Sequence, residues 1–85
     1  MEIELHGKAI KDFDEWKKSG NKIILKKIHA LFSDMTLHPF EGIGKPEQLK
    51  HELTGYWSRR LNKEHRIIYD VTEKTINIYS LKGHY

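Results

Sequence analysis

The 85 residues of this chain suffice for one domain with a modest core, and we expect that domain to span residues 1–85. The absence of cysteine excludes disulfides and thiolate metal sites, and no apolar run is long enough for a signal peptide or a membrane span, so we expect a cytoplasmic protein. The formal net charge of +3 is a mild basic bias that does not by itself identify a partner.

The first part of the chain predicts one strand and two helices. Glu2 to His6 alternate polar and apolar residues, which is typical of a short strand. A first helix is expected from about Lys8 to Lys18, interrupted by Ser19-Gly20-Asn21, and a second from about Lys22 to Leu37. His38-Pro39 ends the second helix, because the residue before a proline is driven out of the α region. The second helix carries one apolar stripe that is far more typical of a core than of a ligand site, formed by Ile24, Ile28, Leu31, Phe32 and Met35.

The segment from Pro39 to Glu47 separates the helices from the rest of the chain. Its two glycines and two prolines exclude regular structure, and loops of this length in a compact domain are often functional. A glycine-rich phosphate cradle fits this segment weakly, because the spacing of a P-loop is missing.

After this loop the pattern changes to period two and predicts an antiparallel meander. The expected strands are about Gln48 to Leu53, Tyr56 to Leu61, Arg66 to Val71 and Thr75 to Lys82. Short turns between successive strands imply antiparallel pairing. The predicted fold is therefore α+β: a short first strand, a helical hairpin and then the meander, with two helices packed on one face of a single twisted, antiparallel-rich sheet.

The last turn, at Glu73-Lys74, predicts the register of the last two strands. It would pair Val71 with Ile76 and Tyr69 with Ile78, and these four side chains would face the core. The other face would carry Arg66, Ile68, Asp70, Tyr79 and Leu81. This is unusually apolar for a surface that faces solvent, so a partner is expected to cover part of it.

The side chains needed to cleave RNA without a metal occur in the second half of the chain. RNA supplies its own nucleophile, the 2′-hydroxyl, so cleavage needs a base, a cation that stabilises the phosphorane and an acid for the departing 5′-oxygen. Glu47, Arg66 and His84 offer these groups, and Tyr85 follows His84.

Strict strand pairing would keep His84 away from Arg66. It places Arg66 opposite Leu81 and directs His84 to the other face of the sheet. A β-bulge, or a departure of the last residues from the strand, is therefore required, and Gly83 would make such a departure easy.

The aromatic residues Tyr56 and Trp57 lie among basic residues over a short span. This composition suits a phosphate backbone with bases that can stack. The basic residues are Lys45, Lys50, Arg59, Arg60, Lys63 and Arg66. A solvated sheet edge is the competing interpretation.

Other kinds of site fit less well. His51 and His65 are rival imidazoles, but each is more typical of a turn or surface position. A metal site built from His51, His65 and His84 lacks the spacing of metal ligands. A nucleophilic triad is disfavoured because no nucleophile elbow surrounds Ser58 or Ser80.

The same residues resemble the YoeB toxins of the RelE-like group of bacterial toxin–antitoxin ribonucleases. The resemblance is strongest in five blocks: Pro39 to Glu47, Leu49-Lys50, Gly55 to Arg60, Glu64 to Tyr69 and His84-Tyr85. It implies a RelE-like fold and an endoribonuclease that cleaves mRNA in the ribosomal A site without a metal or another cofactor. The expected partners are mRNA and the ribosome, a YefM-like antitoxin and a second copy of the toxin.

The resemblance also implies a role for each site residue. Glu47 would be the general base, His84 the general acid, Arg66 the phosphate-stabilising cation, and Tyr85 would order the site or stack on a base. Lys50 and Arg60 would hold backbone phosphates, and Lys45 and Arg59 of the basic segment are further candidates. The chain departs from the family at Gly83, where we expect a larger side chain.

Two alternatives to a ribosome-dependent nuclease remain open. One is a non-catalytic module of the same fold that binds RNA or the antitoxin. The other is a metal-free ribonuclease that cuts free RNA.

Overall fold

The computed structural model describes residues 1–83. Within these residues, two helices and five strands follow one another in the predicted order, with one short 3-10 helix in addition. The elements are β1 (Glu2–Leu5), α1 (Lys8–Ser19), α2 (Lys22–Leu37), β2 (Glu47–Gln48), the 3-10 helix (His51–Leu53), β3 (Trp57–Arg60), β4 (Arg66–Thr72) and β5 (Thr75–Ser80). This arrangement confirms the predicted α+β fold.

The strands form one mixed sheet in the order β1-β5-β4-β3-β2. The meander from β2 to β5 is antiparallel throughout, as predicted. The first strand lies at the opposite edge, parallel to β5, with Ile3 beside Ile76 and Leu5 beside Ile78. The helical hairpin is therefore the connection that carries the chain away from the β1 edge before the meander begins.

The core lies between the helices and one face of the sheet. Alternate residues of the last two strands face it, as the period of two requires. The buried cluster comprises Ala9, Trp16, Ile24, Ile28, Leu31 and Met35 from the helices, with Leu61, Ile67, Tyr69, Ile76, Ile78 and Leu81 from the meander and its flanks. The predicted apolar stripe of α2 supplies four of these side chains, and Phe32 packs against the cluster.

Two predictions about the pairing of the last two strands are confirmed, and the prediction for the face of Leu81 is wrong. Val71 pairs with Ile76 and Tyr69 with Ile78. Beyond this point the register shifts, because Ile68 pairs with Ser80 and leaves Tyr79 as an extra residue on β5. Leu81 was expected on the outer face, but this bulge reverses the alternation and Leu81 is completely buried in the core.

The predicted strand from Gln48 to Leu53 is also wrong beyond its first residue. After β2 the chain turns into the 3-10 helix, where Leu53 N donates to Lys50 O at 3.1 Å and Thr54 N donates to His51 O at 3.1 Å. His51 has a φ of 59°, which is incompatible with a strand. No helix in the described part of the chain is long and apolar enough to cross a membrane.

Candidate active site

The register of three neighbouring strands places the expected base and cations on one face of the sheet. Glu47 pairs with Ser58, and Ser58 pairs with Ile68. Two residues along, Arg60 pairs with Arg66. Paired residues point to the same side of a sheet, and alternate residues of a strand share a face.

This face is the one opposite the helices, which we call the open face. The intervening residues Arg59, Ile67 and Tyr69 are buried on the helix side. With strands ~4.8 Å apart and ~3.4 Å per residue along a strand, the Cα atoms of Glu47 and Arg66 lie about 12 Å apart. Ser58, which lies between them in the register, is completely buried.

The other expected RNA contacts line two clefts. Lys50 and Glu47 line one cleft of about 320 Å³ together with Gln48, Leu49, His51 and Leu53. Lys45 and Arg60 line a second cleft of similar volume, about 320 Å³. That cleft also contains two lysines, Lys27 from α2 and Lys63 from the turn after β3, and its lining has no acidic residue. No local pattern predicts Lys27 at this position, because it lies far upstream on a helix with charges of both signs.

Arg59 is the clearest correction to the sequence-based site. It was expected at an RNA phosphate, but its side chain has no exposed surface. Its guanidinium donates five hydrogen bonds inside the protein. The acceptors are Asp34 Oδ2 at 2.6 Å, Ile43 O at 3.1 Å, Glu41 O at 2.7 Å, the Tyr69 hydroxyl at 3.2 Å and His38 O. A buried guanidinium with these partners is not available to RNA, so Arg59 does not belong among the proposed RNA contacts.

These bonds fold the loop from His38 to Lys45 onto the helices. Asp34 also accepts from Ile43 N at 3.0 Å, and the Tyr69 hydroxyl donates to Pro39 O at 2.8 Å. The hydrogen bond from Arg59 is the main reason that the pKa of Asp34 lies below its ordinary value of 3.8. Burial, opposed by the Arg59 bond, raises the pKa of the Tyr69 phenol above 10.0. The loop is therefore held by one charged pair and by its own carbonyl groups.

The close fit of this loop explains its two glycines. A Cβ on Gly42 would come within 2.0 Å of the Asp34 carboxylate, and a Cβ on Gly44 would come within 2.7 Å of the Leu31 side chain. Both residues also have positive φ, at 114° and 80°. Gly44 O accepts a hydrogen bond from Arg60 N at 2.6 Å, so the loop joins β3 just before Glu47 begins β2.

The aromatic residues of the basic segment lie in separate environments. The Trp57 ring contacts the Phe40 ring at 4.9 Å between centroids, next to the loop. The Tyr56 ring packs edge-on against Tyr79 at 5.4 Å, and Tyr79 stacks on His6 at 5.2 Å. Burial and the neighbouring Asp70 raise the pKa of Tyr79 above 10.0. Because Trp57 pairs with Tyr69 on the helix side, Tyr56, one residue earlier, lies toward the open face.

The end of β5 brings the chain back to Arg66. The catalytic hypothesis required a bulge, and the bulge at Tyr79 is present. Arg66 N donates to Gly83 O at 3.0 Å, so the backbone of Gly83 lies beside Arg66. His84 and Tyr85, the expected acid and its neighbour, lie outside the described residues.

The rival histidines differ from each other. His51 is exposed in the 3-10 helix. His65 is half-buried, accepts a hydrogen bond from Gly83 N at 2.8 Å and packs edge-on against the Trp16 ring at 5.0 Å.

Among residues 1–83, no three His, Asp or Glu side chains converge as a metal site would require. The Ser58 hydroxyl is buried without a hydrogen-bond partner in the same part of the chain.

Comparison with known proteins identifies the family. The model of the YoeB-like toxin of bacterial type II toxin–antitoxin systems matches residues 5–85. The chain belongs to the YoeB family. It is 46% identical over 74 residues to toxin YoeB of Escherichia coli K12, which covers 87% of each chain. The site residues therefore lie in a toxin of a toxin–antitoxin system.

Solved structures of YoeB proteins have the same fold over the whole chain. A YoeB/ParE toxin from Agrobacterium tumefaciens superposes with a TM-score of 0.94 at 32% identity, covering 100% of both chains. YoeB from Staphylococcus aureus, solved as a dimer, gives a TM-score of 0.88 at 42% identity and covers 100% of this chain and 98% of its own. The same S. aureus toxin has been solved in complex with YefM, with a TM-score of 0.83, 42% identity and the same coverage.

Proposed function

We propose that this chain is a single-domain endoribonuclease, spanning residues 1–85, that cleaves mRNA in the ribosomal A site and arrests translation. Membership of the YoeB family supports the class of activity. The structural observation that carries the proposal is the register of β2, β3 and β4. It directs Glu47, Arg60 and Arg66 to the open face. Ribosomal mRNA as substrate implies a cytoplasmic location.

The proposed reaction uses the nucleophile already present in RNA. Glu47, as its carboxylate, takes the proton of a 2′-hydroxyl, and the 2′-oxygen forms a bond to the adjacent phosphorus. The bond from phosphorus to the 5′-oxygen breaks, and His84, as its imidazolium, gives its proton to that oxygen. An imidazole suits this step because its usual pKa of about 6.5 makes both proton forms available near neutrality. The products are a 2′,3′-cyclic phosphate and a 5′-hydroxyl, and the mechanism needs no metal-activated water.

Arg66 is the proposed stabiliser of the phosphorane. It begins β4, is half-buried, and its own backbone is tied to Gly83. A fixed cation aimed at the charge that develops in the transition state is worth roughly 100- to 1,000-fold in rate. Tyr85 would order the site or stack on a base.

Lys50, Lys45 and Arg60 are the proposed contacts to the RNA backbone, and each is exposed. Lys50 lies in the Glu47 cleft, and the other two lie in the second cleft beside Lys27 and Lys63. The absence of acidic side chains from that second cleft supports a polyanion as its ligand.

We also propose a YefM-like antitoxin and a second toxin copy as protein partners. The S. aureus structures described above, a YoeB dimer and a YoeB–YefM complex, support both. An acidic, amphipathic antitoxin segment that folds as it binds would cover some of Lys50, Arg60, Arg66 and the terminus, or displace His84. A structure of the complex with the antitoxin far from all of these would contradict this placement.

One assay tests the function directly. A defined mRNA is presented on ribosomes with an open A site, and the same mRNA is presented free. We expect cleavage on the ribosome only, at a rate that survives a chelator as long as the ribosomes stay intact. Cleavage of both RNAs would indicate a ribonuclease of free RNA, and cleavage of neither would indicate a non-catalytic binding module. A 5′-phosphate on the downstream fragment would mean attack by water and would contradict the roles of Glu47 and His84.

A further inference from the structure

The three residues after β5 are held mainly by side chains, in addition to one backbone bond from Arg66 N at the start of β4 to Gly83 O. Leu81 N donates to Asp12 Oδ2 at 3.0 Å, and Leu81 O accepts from Trp16 Nε1 at 2.8 Å. Lys82 O accepts from Lys8 Nζ at 2.8 Å. Gly83 N donates to His65 Nδ1 at 2.8 Å. We call the side chains of Lys8, Asp12, Trp16 and His65 the C-terminal clamp.

The clamp is itself rigid. Asp12 is 3% exposed and Trp16 is 7% exposed, and Lys8 forms an ion pair with Asp12 at 2.6 Å. The Trp16 ring fixes the edge of the His65 ring at 5.0 Å. The turn that carries His65 is closed by Asn62, whose Oδ1 accepts from Glu64 N at 2.9 Å and from His65 N at 2.8 Å.

Residues so near a chain end are usually poorly ordered, because fixing each backbone costs roughly 1–2 kcal/mol of conformational entropy. Here nearly every backbone polar group from Leu81 to Gly83 has a partner, including Gly83 O with Arg66 N. The core gains only Leu81 from this segment, since Lys82 and Gly83 are half-buried. The hydrogen bonds of Gly83 therefore fix the orientation of the backbone and add little buried surface.

We propose that His65 is a positioning residue for the reaction, acting through the backbone that leads into His84. This inference rests on the proposed function, in which His84 is the acid. His65 accepts from Gly83 N while Gly83 O binds the backbone of Arg66, so both sides of Gly83 are fixed beside the phosphate-stabilising cation. To accept at Nδ1, the imidazole carries its proton on Nε2. A 1 Å displacement of a reacting group costs on the order of 100-fold in rate.

His65 is a member of the clamp that can be tested without dismantling the core. Asp12 and Trp16 are buried, so their loss would destabilise the fold, whereas His65 is half-buried. Asparagine places an acceptor oxygen where Nδ1 lies, and glutamine places its amide closer to the position of Nε2. His65→Asn therefore keeps the bond to Gly83, while His65→Gln and His65→Leu lose it.

The first experiment measures single-turnover cleavage of mRNA on programmed ribosomes at saturating toxin. We expect His65→Gln and His65→Leu to slow cleavage on the order of 100-fold, with His65→Asn within a few-fold of the wild type. The amide proton of Gly83 should exchange faster with solvent in the two slow variants. His29→Gln, at an exposed histidine of α2, is the matched control and should match the wild type.

The second experiment separates positioning from a general loss of structure. If His65 acts through His84, then His65→Gln combined with His84→Gln should be no slower than His84→Gln alone. Additive losses, equal rates for His65→Asn and His65→Gln, or unchanged exchange at Gly83 would each overturn the inference. If His84→Gln cleaves slowly but His65→Gln cleaves at the wild-type rate, the positioning role of His65 is refuted and the proposed function is not. A wild-type rate for His84→Gln would remove the acid and the positioning role together.

Discussion

Replacing Arg59 with methionine should be among the most damaging single changes in this chain. Methionine has a similar length but cannot donate, so all five hydrogen bonds of the guanidinium disappear. The Asp34 carboxylate, whose side chain is 20% exposed, loses its cation. Breaking a buried ion pair by removing one partner costs about 3–5 kcal/mol, and here three carbonyl oxygens and the Tyr69 hydroxyl also lose their donor.

That cost is large for a domain of this size. Total stabilities of small domains are about 5–15 kcal/mol, and 1 kcal/mol changes the melting temperature by roughly 4–8 °C. Arg59→Met should therefore melt at least ~12 °C below the wild type, or fail to fold. The melting temperature of Arg59→Lys should lie between those of the wild type and Arg59→Met. An ammonium keeps the charge but cannot donate to the carboxylate and three carbonyl groups at once.

The measurement is urea unfolding followed by circular dichroism, with the melting temperature as a second readout. Arg60→Met is the matched control, because the neighbouring residue has the same type but an exposed side chain. We expect the control to change the unfolding free energy by less than ~0.5 kcal/mol. If Arg59→Met also stayed within ~1 kcal/mol of the wild type, the bonds from Arg59 to the loop would not be what holds the loop in place.

Three further results are expected. The Arg59 bond lowers the pKa of Asp34, so the stability that this ion pair contributes is complete above pH 3.8 and is lost as the pH falls below it. Asp34→Asn should therefore flatten the acid side of the plot of unfolding free energy against pH, measured by urea titration. Arg66→Ala should cut ribosomal cleavage roughly 100- to 1,000-fold with little change in melting temperature, and a near-wild-type rate in a folded protein would exclude Arg66 from the mechanism. Deleting His84 and Tyr85 should leave the circular dichroism spectrum intact but abolish cleavage, because the leaving 5′-oxygen then has no acid; a folded truncation that still cuts normally would refute this role.

The elements that could be predicted from the sequence are those whose pattern is local. The second helix was predicted with its observed bounds, since the apolar spacing of its core stripe and the His38-Pro39 stop are both contained within it. Short turns made the meander predictable, and the Glu73-Lys74 turn fixed the pairing of Tyr69 with Ile78. The parallel pairing of β1 with β5 joins the two ends of the chain, and no local pattern encodes it.

The errors have a common cause in strand register. Arg59 and Arg60 are adjacent residues of the same type, and only the face of β3 decides that one is buried and the other exposed. The bulge at Tyr79 acts in the same way, because one extra residue transfers Leu81 from the outer face to the core. Neither the alternation of the sequence nor its composition could have located that extra residue.

The two helices contribute to the site although neither carries a proposed catalytic residue. Helix α2 supplies Asp34, which holds Arg59 and through it the loop that leads to Glu47. Helix α1 supplies most of the C-terminal clamp, which holds the backbone that leads to His84. The base and the acid are thus positioned by separate contacts that cross long stretches of sequence. Variants of Asp34 should lose stability and activity together, whereas His65→Gln should lose activity alone. Melting and cleavage must therefore be measured on the same protein before any residue is assigned a role.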